Sequence, residues 1–241
     1  MVFVPGGAYP IGSDPDQDPE AETEEYPRHL VELAPFFLDR LQVTHAQWAE
    51  AVRAGAVRPP PVIREAPLDR HGWPDGQMPA ALADHPVCLV LEDEAEAYCR
   101  FRGKRLPTEA EWEAAARGPE GRRFAWGDTF DPARCNTLEA RVGTTVPVGS
   151  FPSNAGPFGT LDQGCNVSEW VVGRFSSYPR VRQLDNRDDW VDHFGGTDRV
   201  MRGASYESAW RKARAASRWV ATDERKLVGF RCAEDVDGGT P

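Results

Sequence analysis

Apolar and polar positions change period several times along the first half of the chain, and each change predicts an element. Val2 to Ile11 reads as an extended segment broken at Gly6-Gly7, where a hairpin is expected. His29-Leu30-Val31-Glu32-Leu33 alternates as a half-buried strand does, and Phe36 to Val43 continues extended. Thr44 then opens a helix. Gln47, three residues on, completes a capping box in which each side chain satisfies an orphan backbone N–H, and Gly55 closes the helix. A second helix runs from about Glu92 to Arg102, with Ala95, Tyr98 and Cys99 on one apolar face and Gly103 as its stop. A third has Thr108 as its cap and Glu111 as the reciprocal partner, and ends at Arg117 before Gly118-Pro119.

Residues 56–86, with Pro59-Pro60-Pro61 near their start, read as a long surface loop. Beyond the third helix, short apolar runs sit between Gly, Asn and Asp turns: Val146-Pro147-Val148, Asn166 to Val172, Arg199 to Tyr206 and Val228 to Cys232. No period of 20 to 50 residues marks a repeat array. Early helices followed by short, irregular strands predict an α+β fold in one irregular domain, residues 1–234, with little regular structure. Residues 235–241 are expected to form a disordered tail.

Composition sharpens this picture. Eight Trp among 241 residues suffice for a packed core, while 22 Gly and 21 Pro point to a loop-rich fold. The formal charge of −10 excludes nucleic acid and anionic membrane as main partners, because both need basic surface. Seven acids and no base fall between Asp14 and Glu25, a stretch expected to be a solvated surface loop. No apolar run approaches the roughly 20 residues of a membrane span, and the N-terminus lacks a signal peptide's basic start and apolar stretch. Cys88, Cys99, Cys135, Cys165 and Cys232 are odd in number and form no CxxC pair. That usage fits buried free thiols in the cytoplasm, with one disulfide left open.

The run Arg105-Leu106-Pro107-Thr108-Glu109-Ala110-Glu111-Trp112-Glu113 resembles the signature of the formylglycine-generating enzyme (sulfatase-modifying factor) family. Further blocks resemble the family in order. They are Met1 to Ser13, Glu25 to Val31, Leu41-Gln42-Val43-Thr44 with Trp48, Ala97-Tyr98-Cys99, Ala125-Trp126-Gly127-Asp128, Asn166-Val167-Ser168-Glu169-Trp170, Arg199 to Tyr206 and Gly229-Phe230-Arg231. The resemblance implies a C-type-lectin-like fold that often carries calcium. That architecture serves copper-dependent oxidases, iron-dependent sulfoxide synthases, a pyoverdine-maturation enzyme, silent paralogues and the diversified ligand-binding proteins of retroelements.

In the oxidases two thiolates bind Cu(I), which prefers soft sulfur. The matching stretch here is Gly203 to Ala213, and the thiol positions are Ser208 and Ala213. Neither can hold Cu(I), so no copper and no copper-dependent cysteine-to-formylglycine oxidation are expected. Ser168 stands where the family has a groove-lining tryptophan, and Ser205 persists beside the lost centre. The five histidines show no metal-binding spacing, and Asp188, Asp189 and Asp192-His193 read as a hydrated acidic turn. Cys165 reads as a buried small residue, not a nucleophile.

By the same resemblance calcium would be held by Asp162 and Glu169 carboxylates with the Cys165 and Val167 carbonyls. A second ion would use Asn136 and the Thr137 carbonyl with Glu139 and Val142. Hard oxygen donors on compact loops are what Ca²⁺ requires. Arg105, Arg202, Arg218 and Arg231 are expected to pair with Glu109, Glu111, Glu113 and Glu169 in buried networks, and Trp112, Trp126 and Trp170 to pack in the core.

The segment 204–227 concentrates Tyr206, Trp210, Arg211, Lys212, Arg214, Arg218, Trp219, Arg225 and Lys226. Trp, Tyr and Arg are the residues that most often anchor interfaces. The expected function is therefore a calcium-stabilised binding module for a protein, peptide or small-molecule ligand. Ser168, Ser205, Tyr206, Ser208, Trp210, Arg211, Arg214, Arg218 and Trp219 would form its recognition surface, in the manner of a retroelement-diversified protein. The alternative is an oxidoreductase of the same family with different metal-dependent chemistry.

Overall fold

The computed structural model describes residues 1–178, 198–221 and 226–236. Helix α1 (His45–Arg53) begins at the expected capping box: Gln47 N donates to Thr44 Oγ1 at 3.3 Å, and Thr44 N donates to Gln47 Oε1 at 2.9 Å. Helix α3 (Glu109–Arg117) repeats the device, with Glu111 N to Thr108 Oγ1 at 3.2 Å and Thr108 N to Glu111 Oε2 at 2.7 Å. Helix α2 (Glu92–Phe101) lies between them in sequence. Its Tyr98 stacks on Trp48 at 5.5 Å and meets Phe230 edge-on at 5.4 Å, so residues far apart in sequence close one apolar core. Each such ring, fully buried, contributes about 1.5–3 kcal/mol.

The hairpin expected at Gly6-Gly7 does not form. Strand β1 (Val2–Val4) pairs antiparallel with β4 (Phe36–Leu38), and β2 (Gly7–Ile11) pairs with β3 (His29–Leu33). This pairing gathers Val4, Tyr9, Ile11, Phe36 and Leu38 over Ala114 and Ala115 of α3, a shared core that a β1–β2 hairpin would not build. Strand β9 (Ala233–Asp235) pairs with the other edge of β4, and Arg105 Nη2 lies 2.6 Å from the Asp235 carboxylate. Ordered chain thus runs past residue 234, the expected boundary; residues 237–241 lie outside the described residues. Val146-Pro147-Val148 forms no strand.

A third sheet, of four strands, has the order β7-β6-β5-β8, from β5 (Ser168–Arg174), β6 (Arg199–Arg202), β7 (Arg218–Ala221) and β8 (Val228–Gly229). Only the β5–β8 contact is parallel. The expected ion networks tie this sheet to α3. Arg202 bonds Glu109 at 2.8 Å and Glu113 at 2.5 Å, Arg218 bonds both oxygens of Glu109, and Glu113 also takes Arg117 at 2.7 Å. Arg105 pairs with Glu111 at 2.7 Å, and Arg231 forks onto Glu169 at 2.7 and 2.8 Å. Such multiply bonded groups hold irregular backbone in one arrangement, because removing either partner strands a buried charge. Trp112 and Trp170 are core residues as expected, whereas Trp126 is partly exposed.

Two glycines bring the loop before β5 against the loop after β6. Gly203 has φ +75°, and a Cβ there would stand 2.8 Å from Gly164 Cα. At Gly164, φ +87°, a Cβ would stand 2.8 Å from the Ala213 carbonyl oxygen. Only glycine allows that approach at that backbone angle. Among the described residues no helix is long and apolar enough to cross a membrane.

Candidate site: a hydroxyl-lined cavity beside an oxygen-rich loop

The turn after β6 carries Ser205 and Ser208 to the mouth of a cavity of about 340 Å³, which Ser168 on β5 and Trp219 on β7 also line. Met201, Leu68, Leu227 and Val228 supply apolar wall, and Glu65, Glu207 and Lys226 supply charge. The hydroxyls hold one another: Ser205 and Ser208 Oγ lie 3.1 Å apart, Ser205 N donates to Ser208 Oγ at 3.1 Å, and Ser168 Oγ donates to the Gly203 carbonyl at 3.0 Å. The Trp219 indole nitrogen is enclosed and has no hydrogen-bond partner among the described residues. No cysteine lines this cavity. Ala213, the other position read as a lost thiol, packs away from it with Phe124 and the sulfurs of Cys135 and Cys165.

Four of the nine expected recognition residues thus meet at the cavity. Three others are corrected by their burial. Tyr206 is 2% exposed, and its hydroxyl meets His71 Nε2 at 3.0 Å; burial pushes that hydroxyl above its ordinary range and draws His71 down to about 4. Arg214 is fully buried, forking onto Glu25 at 2.6 Å through two nitrogens and reaching Asp18 at 3.0 Å. Arg218 is spent on Glu109 and lies 4.6 Å from the Phe175 ring centroid. The acidic stretch 14–25, expected to be a solvated loop, is the counterpart of this segment. Glu20 pairs with Arg211 and Glu22 with Lys212, beside the Asp18 and Glu25 bonds. Opposite charges separated widely in sequence neutralise each other at close range, which composition alone does not reveal. Trp210 leans on Phe130 at 5.4 Å, and its partly buried ring continues the Phe124 cluster. Arg225 and the acidic turn with His193 lie outside the described residues.

The loop named for calcium does converge. Its Cys165 carbonyl, Val167 carbonyl and Glu169 Oε1 lie 3.1, 3.0 and 3.0 Å from one atom, the Gln42 side-chain nitrogen. Glu169 also accepts from Trp112 Nε1 at 2.9 Å, besides Arg231. Asp162 turns elsewhere, accepting from Gly149 N at 2.6 Å; burial holds its carboxyl above the usual range. At the second loop, Asn136 Oδ1 is buried without a hydrogen-bond partner among the described residues. Its amide nitrogen donates to the Thr144 carbonyl and to Asn166 Oδ1. Glu139 accepts from Thr137 Oγ1 and Trp210 N, and Val142 is exposed. Among the described residues no three His, Cys, Asp or Glu side chains gather where they could hold a metal ion.

Two features escaped the sequence. Cys135 and Cys165 form the one disulfide that the cysteine count left open, and Cys88, Cys99 and Cys232 are buried free thiols. The bond closes a sequence separation of 30 residues, for which chain entropy gives about 3–4 kcal/mol of stabilisation. Buried His45 lies close enough to His71 for their charges to interact, and each has one ring nitrogen without a partner. Positions 45 and 71 have no helical or strand spacing, so nothing in their order predicted the pair.

Irregular loops around three small sheets, closed by strands from the two ends of the chain, define a C-type-lectin-like domain of the formylglycine-generating type. A family model described as "Sulfatase-modifying factor enzyme 1-like domain" matches residues 1–236. The chain is 34% identical to a formylglycine-generating enzyme of Streptomyces coelicolor, over 98% of this chain and 90% of that protein. It is 32% identical to a hercynine oxygenase of Mycolicibacterium smegmatis, over 98% of this chain and 61% of that protein. Among solved structures, PvdO from Pseudomonas aeruginosa superposes with a TM-score of 0.76 at 24% identity, covering 97% of this chain and 93% of PvdO. Treponema denticola variable protein 1 superposes at 0.73 and 18%, covering 98% and 95%. The chain belongs to the sulfatase-modifying factor (formylglycine-generating enzyme) family.

Proposed function

We propose that this chain is a binding member of its family, capturing a short peptide or small molecule in the cavity bounded by Ser168, Ser205, Ser208 and Trp219. The observation that carries this is chemical. The cavity offers the Ser168, Ser205 and Ser208 hydroxyls, and Ser208 stands where the family resemblance implies a thiolate. Hydroxyl oxygens are poor donors to Cu(I) but good partners for amide and carbonyl groups. A volume near 340 Å³ suits a ligand of one or two residues' size, and a few placed polar groups in an apolar wall fix its orientation.

In the same reading a Ca²⁺ ion is held at the second loop by Asn136 Oδ1 and the Thr137 carbonyl, since an enclosed amide oxygen with no donor is the kind of atom a hard cation takes up. Diversification of residues 204–227 would then fall on exposed Glu207, Ala209 and Arg211, because Tyr206, Arg214 and Arg218 are committed to the interior. A neighbouring reverse transcriptase gene with a near-duplicate template would support that refinement. Cytoplasmic residence is part of the proposal, and alkylation of the Cys135–Cys165 pair in cell extracts tests it.

Ser168→Trp restores bulk to the cavity. It is expected to weaken capture of peptides or fragments at least tenfold in a fluorescence-detected panel while melting changes little, and Trp219→Ala should act likewise. A second reading, metal-dependent oxidation, is favoured by the two enzyme relatives. Stoichiometric copper or iron, with oxygen consumption on a thiol substrate, would replace the binding proposal with it.

A further inference from the structure

Gln42 enters the loop ahead of β5 from the segment between β4 and α1, and its amide ends among the atoms that would surround a cation. We infer that the Gln42 amide takes the place of calcium at the Asp162–Glu169 loop, so that the loop is set by an internal donor and binds no ion. Its nitrogen stands 3.0–3.1 Å from the Cys165 carbonyl, the Val167 carbonyl and Glu169 Oε1. Ca²⁺ needs six to eight oxygens at about 2.3–2.6 Å, and an ion bound to these three from the amide's side would overlap the nitrogen.

Charge points the same way. Arg231 already lies on both Glu169 oxygens, at 2.7 and 2.8 Å, so the carboxylate has its counter-charge without a metal. The fourth expected ligand is turned away, with Asp162 Oδ2 2.6 Å from Gly149 N and Oδ1 3.5 Å from Asn154 Nδ2. The amide's direction follows from its neighbours. Rotating it would set Oε1 against three acceptor oxygens and strand two N–H groups, whereas the present orientation leaves only Oε1 without a partner. The inference is independent of what occupies the cavity.

Calorimetric titration with CaCl₂ after chelation tests it on three proteins: wild type, Asn136→Ala and Gln42→Glu. Asn136→Ala removes the other proposed site and is expected to bind no calcium, whatever the wild type does. Gln42→Glu exchanges the donor for a second carboxylate beside Glu169, and should bind one calcium more than wild type and regain in calcium the melting temperature it loses in chelator. A calcium equivalent retained by Asn136→Ala would overturn the inference, as would a Gln42→Glu protein indifferent to calcium. Should Gln42→Glu fail to fold, the Gln42 side-chain amide resonances decide: their persistence unshifted under excess Ca²⁺ supports the internal donor, and their displacement refutes it.

Discussion

Arg214→Ala separates a surface reading of segment 204–227 from an interior one. The wild-type guanidinium is fully buried and makes four bonds, to Glu25 Oε1 and Oε2 at 2.6 Å, to Asp18 at 3.0 Å and to the Arg211 carbonyl at 2.9 Å. Truncation leaves Asp18 with Arg123 at 2.7 Å, but leaves the buried Glu25 carboxylate with only Ser13 Oγ, at 3.1 Å, among its side-chain donors. Breaking a buried pair from one side costs about 3–5 kcal/mol. At about 2–4 °C per kcal/mol for a domain of this size, the melting temperature should fall by roughly 10 °C. Arg211→Ala is the control, since its pair with Glu20 is 53% and 30% exposed and should be worth under about 1 kcal/mol. Circular-dichroism melts of both variants, with Arg214→Ala/Glu25→Gln recovering part of the loss, complete the measurement. Equal, small shifts for Arg214→Ala and Arg211→Ala would refute the reasoning and return Arg214 to the surface.

The buried histidines make stability fall in acid. Burial, first, and neighbouring positive charge hold His45 at about 3 and His71 at about 4, against 6.5 in the unfolded chain. The unfolded state therefore binds more protons as pH drops below 6.5, and each histidine should remove about 1.4 kcal/mol between pH 7.5 and 5.5. Urea midpoints that do not move across that range in wild type, or that move equally in His45→Gln and wild type, would contradict this. Gly203→Ala drives a Cβ to 2.8 Å from Gly164 at positive φ. It should cost about 2 kcal/mol or more in denaturant melts, and unchanged melting would show that the two loops do not press together.

Local signals were the most legible. Thr44 with Gln47 and Thr108 with Glu111 place two helix starts to the residue, because capping depends on neighbours three positions apart. The arginine–glutamate networks were also readable, since a buried fold rich in loops leaves Arg202, Arg218 and Arg231 few other partners. Pairings over long separations were not. The Gly6-Gly7 hairpin fails because strand partners are chosen by the shared core, not by the nearest turn. Charge clusters misled for a related reason: the acids of 14–25 and the bases of 211–214 each look solvated until the fold brings them together. Ser168, Ser205 and Ser208 were named through family blocks, and Trp219 through its interface-prone chemistry. The role of Gln42 and the pairing of Cys135 with Cys165 were not legible, because an amide or a lone cysteine acquires meaning only from its surroundings.

Those charge partners have an implication for biosynthesis. Arg214 finds Glu25 across 189 positions and Asp18 across 196, so the acids emerge from the ribosome long before their counter-ions exist. Until segment 211–214 has been made, Glu25 lacks its guanidinium partner, whereas Val4, Tyr9 and Ile11 can already pack on Ala114 and Ala115. Pairing of the two charged segments therefore follows synthesis of the core between them, and a chain stopped before residue 211 would leave Glu20, Glu22 and Glu25 without these basic partners.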